Sequence, residues 1–321
     1  MRVAVTGGTG FVGGHLAARL RGDGHEVVIV SRGVDQRPGA GHVTELPGVE
    51  VARTSVTDRV GLEQAFDGCE GVAHCAGINR EVGKQTYEAI HVEGTANVVS
   101  AAEAAGVTQL ALMSFLRARP ACGSPYHESK WAAEEIVRAS TLHWTILKPG
   151  MVYGRGDHFL HHLSSALHTF PIYVGIGHRR VRPLWIDDLV DVLAASVVGR
   201  RLDHQTVPVL GPTEIKFDDA VRMIAGVLDR RVRVIRLPLT FHRGLAWVSE
   251  KVMTVPLIAR AQVRLLEEEI VEPVLAANEL PQDLQPSTPF DAHTIRAGLP
   301  EPGRFGLKDL RFVNDPTERV R

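Results

Sequence analysis

The feature that most narrows what this chain can fold into is its beginning, "MRVAVTGGTGFVGGHLAARL". A short apolar run, Val3 to Thr6, leads directly into Gly7, Gly10 and Gly13, and these open a stretch with helical apolar spacing from Phe11 to Arg21. A strand, a bend and a helix in this order use three glycines for three reasons. The tight turn needs backbone angles that a Cβ resists, a bound anion must approach the main chain closely, and the helix must lie tight on the strand. The start of the helix then offers N–H groups and a partial positive charge. The spacing G-x-x-G-x-x-G at this place predicts a bend that grips the diphosphate of a dinucleotide, with Thr9, Phe11 and Val12 beside Gly7, Gly10 and Gly13.

The rest of the first half repeats the rhythm. "EVVIVS", "VEVAR", "GVAHCAG", "QLALMS" and "HWTILK" read as strands, and Asp58 to Phe66, Tyr87 to Ala105 and Pro125 to Ser140 as the helices between them. Alternation of this kind predicts an α/β fold, a Rossmann-type doubly wound parallel sheet with helices on both faces. The segment "RGVDQRPGAGHVTELPG" is rich in Gly and Pro and reads as a loop where a crossover helix would be usual. After Gly154 the rhythm weakens, although "QTVPVL" reads as a returning edge strand. Seven prolines in 273–316 predict an extended, surface-wrapping tail. These shifts divide the chain into a dinucleotide-binding domain over 1–155, with a return segment over 183–212, and a smaller C-terminal substrate lobe over 156–182 and 213–321.

Composition excludes several classes. The 321 residues are 44% hydrophobic and carry a net charge of −1, so neither nucleic acid nor an acidic membrane surface is the expected main partner. No run approaches the ~20 apolar residues of a spanning helix, and no basic segment precedes a long apolar one at the N-terminus. Three cysteines without metal-pair spacing fit reduced thiols in a cytoplasmic protein. His158, His161 and His162 lack a carboxylate motif such as His-Glu-x-x-His and read as a solvated helix face, so no metal is expected.

Cofactor choice is read at the end of the second strand. An acidic residue there would accept from a ribose 2′-hydroxyl; this chain has Ser31 and Arg32, which can hold a 2′-phosphate. NADP(H) is therefore favoured, with NAD(H) left open if Arg32 is only a solvated loop charge.

Taken together, "TGGTGFVG", "HCAG", "YHESK", "LKPGMVYG" and "RPLWIDDLVDVL" resemble the short-chain dehydrogenase/reductase superfamily in its extended or atypical branch. "SPYHESKWAAEE" and "GDHFLHHL" resemble most the members related to the accessory subunit of respiratory complex I. The resemblance covers residues 1–235 and is thin beyond. It implies that Tyr126 is the acid/base, that Lys130 binds the nicotinamide ribose, and that Ser114, after the fifth strand, orients the substrate oxygen. It also implies cofactor contacts at Ala76, Gly77, Pro149 and Met151. Three departures stand out. Phe115 occupies a place where a second serine is common, "HCAG" lacks the family's Asn, and the Asp that contacts adenine aligns with Ser55, leaving the backbone of Val56 for that role.

Tyr126 and Lys130 are four residues apart on a helix and so share a face. A phenol with a pKa near 10 is a poor proton carrier at neutral pH unless its anion is stabilised, and Lys130 together with an oxidised nicotinamide is expected to do so. Alone, Tyr-x-x-x-Lys is also what an ordinary amphipathic helix carries. Among "GHRRVRP", Arg182 is the candidate for holding an anionic substrate, by resemblance to nucleotide-sugar epimerases, or is a solvated basic residue. The apolar stretch from Phe241 to Leu266 packs the second lobe, lines a substrate pocket or rests on a membrane surface as a peripheral contact. The expected function is NAD(P)-dependent oxidoreductase or epimerase-type work on a hydroxyl or carbonyl of a small-molecule substrate. The alternative is a non-catalytic NAD(P)-binding protein: a redox sensor, an assembly factor or an accessory subunit. Substrate identity, reaction direction and oligomeric state are not legible.

Overall fold

The computed structural model describes residues 1–33, 41–175, 179–252, 263 and 267–305. Its elements are, in order, β1 (Arg2–Thr6), α1 (Phe11–Gly22), β2 (Glu26–Val30), α2 (Gly41–Thr44), β3 (Val49–Ala52), α3 (Arg59–Phe66) and β4 (Gly71–His74). A π-helical turn (Glu88–Glu93) then leads into α4 (Gly94–Ala104), followed by β5 (Gln109–Met113), α5 (Pro125–Arg138) and β6 (His143–Pro149). Next come β7 (Val152–Tyr153), α6 (His158–Thr169), β8 (Ile172–Gly175), β9 (Arg180–Val181), β10 (Leu184–Trp185), α7 (Ile186–Gly199) and β11 (Gln205–Val209). The remainder is β12 (Ile215–Lys216), α8 (Phe217–Val227), β13 (Arg233–Arg236), α9 (Leu239–Val252) and α10 (Ala292–Gly298).

Seven strands form one parallel sheet in the order β3-β2-β1-β4-β5-β6-β11. This is the doubly wound Rossmann arrangement. The central strands are apolar on both faces because both are covered: Val3, Ala4 and Val5 of β1 and Val28 and Ile29 of β2 are fully buried. Helices α3, α4 and α5 pack on one face with Leu62, Phe66, Val98, Ala102, Leu110, Leu112 and Ile146, while α1 and α7 pack together on the other. Asp58 caps α3 by accepting from the Gly61 N–H.

The chain divides into two compact units. The first comprises Met1–Gly150, Ile186–Leu210 and Glu272–Ser287, and the second comprises Met151–Trp185, Gly211–Val271 and Thr288–Arg321. The segment 272–287, assigned from sequence to the second lobe, thus belongs to the first unit. The Asn278 N–H donates to the Thr206 carbonyl at 2.8 Å, and its side-chain oxygen accepts from the Thr206 N–H at 3.2 Å. These contacts cover the outer edge of β11. The second unit has its own core of Tyr153, Leu160, Leu163, Phe217, Val221, Phe290 and Ile295. Its proline-rich tail is not wholly extended: Asp291 and Thr294 form a capping box that starts α10.

Two other expectations change. The predicted helix Tyr87–Ala105 begins as a widened turn, where Gly94 lies so close to Val56 that a Cβ would sit 2.8 Å from its methyl. In α9, His242, Ala246 and Ser249 are buried, but Phe241, Trp247, Val248 and Val252 are exposed, so only one face of this stretch packs. Its continuation over 253–262 and 264–266 lies outside the described residues, as do residues 34–40 of the Gly/Pro-rich loop. Among the described residues no helix is long and apolar enough to cross a membrane.

Candidate active site

The site is built at the carboxyl ends of the first unit's strands. Gly7 leaves β1 at φ +68°, and a Cβ there would lie 2.9 Å from both the N and the Cα of Ala76. A Cβ on Gly13 would lie 2.4 Å from the Gly7 carbonyl oxygen. Both positions are therefore closed to any side chain. The Gly10 N–H donates to the Gly7 oxygen at 2.8 Å, and no side chain caps the start of α1. A turn of naked backbone at an uncapped helix N-terminus is what a diphosphate needs, so these residues fit a dinucleotide. Phe11 is fixed by its carbonyl, which accepts from His15 Nδ1 at 2.8 Å, and Val12 follows in the same first turn.

At the end of β2, the hydroxyls of Thr9 and Ser31 bond at 2.7 Å, and Arg32 Nη2 donates to Gln85 Oε1 at 2.8 Å. Gln85 had no signal in the sequence; it holds the exposed guanidinium beside the strand end. Val56 is buried, and its carbonyl accepts from Asn97 Nδ2 at 3.0 Å.

A buried hydrogen-bond chain fixes the exit of β4, and its proton positions follow from donor and acceptor counting. Thr95 Oγ1 donates to the His91 carbonyl at 2.5 Å, so it accepts from His74 Nε2 at 3.1 Å. His74 Nδ1 then accepts from Thr6 Oγ1 at 2.6 Å, and the same oxygen accepts from the Ala76 N–H at 3.4 Å. The Ile78 N–H donates to His91 Nε2 at 3.1 Å, so His91 Nδ1 donates to Ser129 Oγ at 2.9 Å. Ser129 donates in turn to the Tyr126 carbonyl at 3.0 Å. Burial pushes both imidazoles down, with the Lys130 charge adding to it: His74 to about 3 and His91 to about 2. Both rings are neutral at ordinary pH and serve as rigid struts between β1, β4, the π-helical turn and α5.

Tyr126 and Lys130 stand on α5 within this frame. The Tyr126 ring meets Tyr87, His91 and Phe115 at centroid distances of 5.6, 5.7 and 5.5 Å. Lys130 Nζ donates to the Met113 carbonyl at 3.1 Å and lies where a Cβ on Gly77 would come within 3.1 Å. Burial lowers Lys130 to about 8, against the opposing pull of Cys75 and Glu134. Burial, with Tyr87 adding to it, raises the Tyr126 phenol well above its ordinary value. The lowering expected from sequence rests on Lys130 together with an oxidised nicotinamide, and burial opposes it.

Ser114 stands elsewhere than its expected role requires. Its N–H continues the sheet ladder to the Leu147 carbonyl, so Ser114 follows Leu110 and Leu112 in pointing at the face covered by α3, α4 and α5. There it donates to Glu134 Oε1, 2.5 Å away, rather than facing a substrate. Glu134 is fully buried and also accepts from Lys148 Nζ at 2.6 Å and Arg138 Nη2 at 2.8 Å. The place next to Tyr126 is taken by the Phe115 ring. Glu134 was missed in the sequence, although its spacing of four residues after Lys130 and eight after Tyr126 marks one helix face.

Pro149 ends β6, and its carbonyl accepts from the Leu116 N–H at 3.0 Å. Met151 and Arg182 belong to the second unit. There the Met151 carbonyl accepts from the Leu184 N–H at 2.8 Å, and Arg182 Nε donates to the Gly211 carbonyl at 2.9 Å.

Over residues 7–159 the chain matches the NAD(P)H-binding family. It is 29% identical over 245 residues to a ceramide reductase of Caulobacter vibrioides, a match covering 74% of this chain and 73% of that protein. It is 21% identical over 271 residues to the mitochondrial NADH-ubiquinone oxidoreductase 40 kDa subunit of Neurospora crassa, covering 84% and 72%. Uncharacterized proteins of Mycobacterium tuberculosis and Mycobacterium bovis match at 28% identity over 240 residues, and the match spans 24% of their length. The crystal structure of UDP-glucuronic acid 4-epimerase from Bacillus cereus with UDP-glucuronic acid and NAD superposes with a TM-score of 0.69 at 16% identity. That superposition covers 93% of this chain and 98% of that one.

Proposed function

We infer, for a chain whose residues 7–159 match the NAD(P)H-binding family and whose sheet is of the Rossmann type, an oxidoreductase or epimerase-type enzyme that acts on a hydroxyl or carbonyl group with Tyr126 as its acid/base. The observation that carries this reading is the placement of Tyr126 and Lys130 one helical turn apart, with the ammonium anchored at the end of β5 beside Gly77. When bound, the nicotinamide supplies a hydride donor or acceptor. Lys130 offers its remaining N–H groups to ribose hydroxyls. A phenol held above its ordinary pKa is fully protonated at neutral pH, so Tyr126 is suited to giving a proton to a carbonyl oxygen as that carbonyl is reduced. Relatives that include a ceramide reductase support the reductive direction. NADP(H) is the favoured cofactor, supported by Ser31, by the Arg32–Gln85 pair and by the absence of a carboxylate at the end of β2.

A second reading has its own support. With Ser114 committed to Glu134 and Phe115 against Tyr126, the hydroxyl that would orient a substrate oxygen is turned away. That favours a non-catalytic NAD(P)-binding role, and a complex I subunit is among the relatives. Screening carbonyl and hydroxyl compounds with NADPH and NADH, with Tyr126→Phe in parallel, separates the two. The enzyme reading expects turnover that falls by roughly 10²- to 10⁴-fold in the variant, with cofactor affinity retained. Cofactor binding without turnover by the native protein would favour the second reading. Turnover that survives the substitution would remove Tyr126 from the chemistry.

A further inference from the structure

At the opposite ends of the strands from Tyr126, three side chains from distant parts of the sequence converge. His143 opens β6, and Asp203 and His204 close the turn between α7 and β11. Asp203 lies between the two imidazoles: its Oδ2 is 2.8 Å from His143 Nδ1 and its Oδ1 is 3.7 Å from His204 Nε2. The three ligand atoms lie within 4.8 Å of one another. The Oδ1 atom is shielded from solvent and, among the described residues, has no hydrogen-bond partner, so it faces the two rings with lone pairs to give.

The supports of this cluster are backbone bonds. The His204 N–H donates to the Trp144 carbonyl at 2.7 Å, the His143 N–H to the Thr108 carbonyl at 3.1 Å, and Thr145 Oγ1 to the Leu202 carbonyl at 2.8 Å. The His204 ring is seated edge-on against Trp144 at 5.2 Å, and the residue takes a left-handed φ of +52°. Neighbouring ligands on a tetrahedral Zn2+ lie roughly 3.3 Å apart, given bonds of about 2.0–2.1 Å. The two separations from Asp203, 2.8 and 3.7 Å, bracket that value.

We propose that His143, Asp203 and His204 form a binding site for a borderline divalent transition-metal ion, Zn2+ being the reference. Two imidazoles and one carboxylate suit Zn2+, Co2+ or Ni2+, whereas Mg2+ and Ca2+ take oxygen donors. Three protein ligands leave a position for water. The ion would tie the start of β6 to the turn that feeds the edge strand β11, far from the cofactor bend, as a brace. The sequence reading, which expected no metal, weighed only the α6 histidines. His143 and Asp203 are separated by 60 residues and leave no local spacing signature.

The test uses the tag-free, chelator-treated full chain. Zn2+ titration by calorimetry is expected to give one micromolar site and a higher thermal midpoint. Co2+ is expected to give the visible absorption of a low-coordinate nitrogen/oxygen site. His204→Ala and Asp203→Asn should each weaken binding by about tenfold or more, while His161→Ala should not change it. Circular dichroism confirms that each variant is folded, and His143→Gln provides a third ligand change. Absence of Co2+ absorption and Zn2+ heat in the native chain would overturn the proposal. So would undiminished affinity in His204→Ala and Asp203→Asn.

Discussion

His74 shows how one residue can be structural at the heart of a candidate active site. Its ring accepts from Thr6 and donates to Thr95, and it is held neutral by burial, at about 3. A histidine whose folded pKa lies below its unfolded value contributes stability that is fully present above about pH 6.5 and is lost as pH falls. His91, at about 2, behaves the same way. Each adds up to about 1.4 kcal/mol of lost stability per pH unit below 6.5. Asn can keep an acceptor for Thr6 where Nδ1 stands, without a ring that titrates, at the cost of the bond to Thr95. In urea unfolding from pH 7 to 5, His74→Asn should start from a lower neutral-pH stability and lose one histidine's share of the acid slope. An unchanged slope would contradict the assignment. Arg32 supports a second prediction at this scale. Loss of a charge-assisted pair to a 2′-phosphate costs about 1.5–3 kcal/mol, so Arg32→Ala should weaken NADPH binding by roughly ten- to a hundredfold and leave NADH unchanged. Equal effects on both cofactors would make Arg32 a mere surface charge.

At the scale of elements, α5 carries the candidate chemistry and, one turn further along the same face, a buried charge network. Glu134 neutralises Lys148 and receives Ser114 and Arg138. Glu134→Gln leaves the Lys148 ammonium buried without its counter-charge and should cost about 3–5 kcal/mol in denaturant unfolding. The double change to Met at 134 and 148 should recover much of that loss. A cost below 1 kcal/mol for the single change, about that of a surface pair, would mean the network contributes little. The same helix sets a pH dependence. Lys130, lowered to about 8, keeps its charge below that pH and loses it above. If the ammonium holds the ribose, cofactor affinity should fall as pH rises through about 8, whereas Lys130→Met should bind weakly at every pH, with no inflection there. The strands and most helices were legible as apolar runs and periodic stretches. The direction of Ser114 was not, because it depends on register with Leu147 and on what α5 presents opposite. Nor was His91, which a π-helical turn swings inward.

At the scale of the whole molecule, the chain visits its first unit three times, over 1–150, 186–210 and 272–287. The first two visits are written as strands and helices and were readable. The third is proline-rich and aperiodic, and Asn278 ties it to β11 by one backbone and one side-chain bond, so its place was hidden until the edge strand was seen. The glycine bend was the most legible part of the site because its constraint is steric and local. It is also what the functional account rests on. The direct test is a fluorescence titration of NADPH into the native chain and into Gly13→Ala, whose added methyl would lie 2.4 Å from the Gly7 carbonyl oxygen. The account predicts saturable binding by the native chain and its loss in the variant. A folded native chain that binds neither NADPH nor NADH, or a variant that binds as tightly as the native chain, would contradict it.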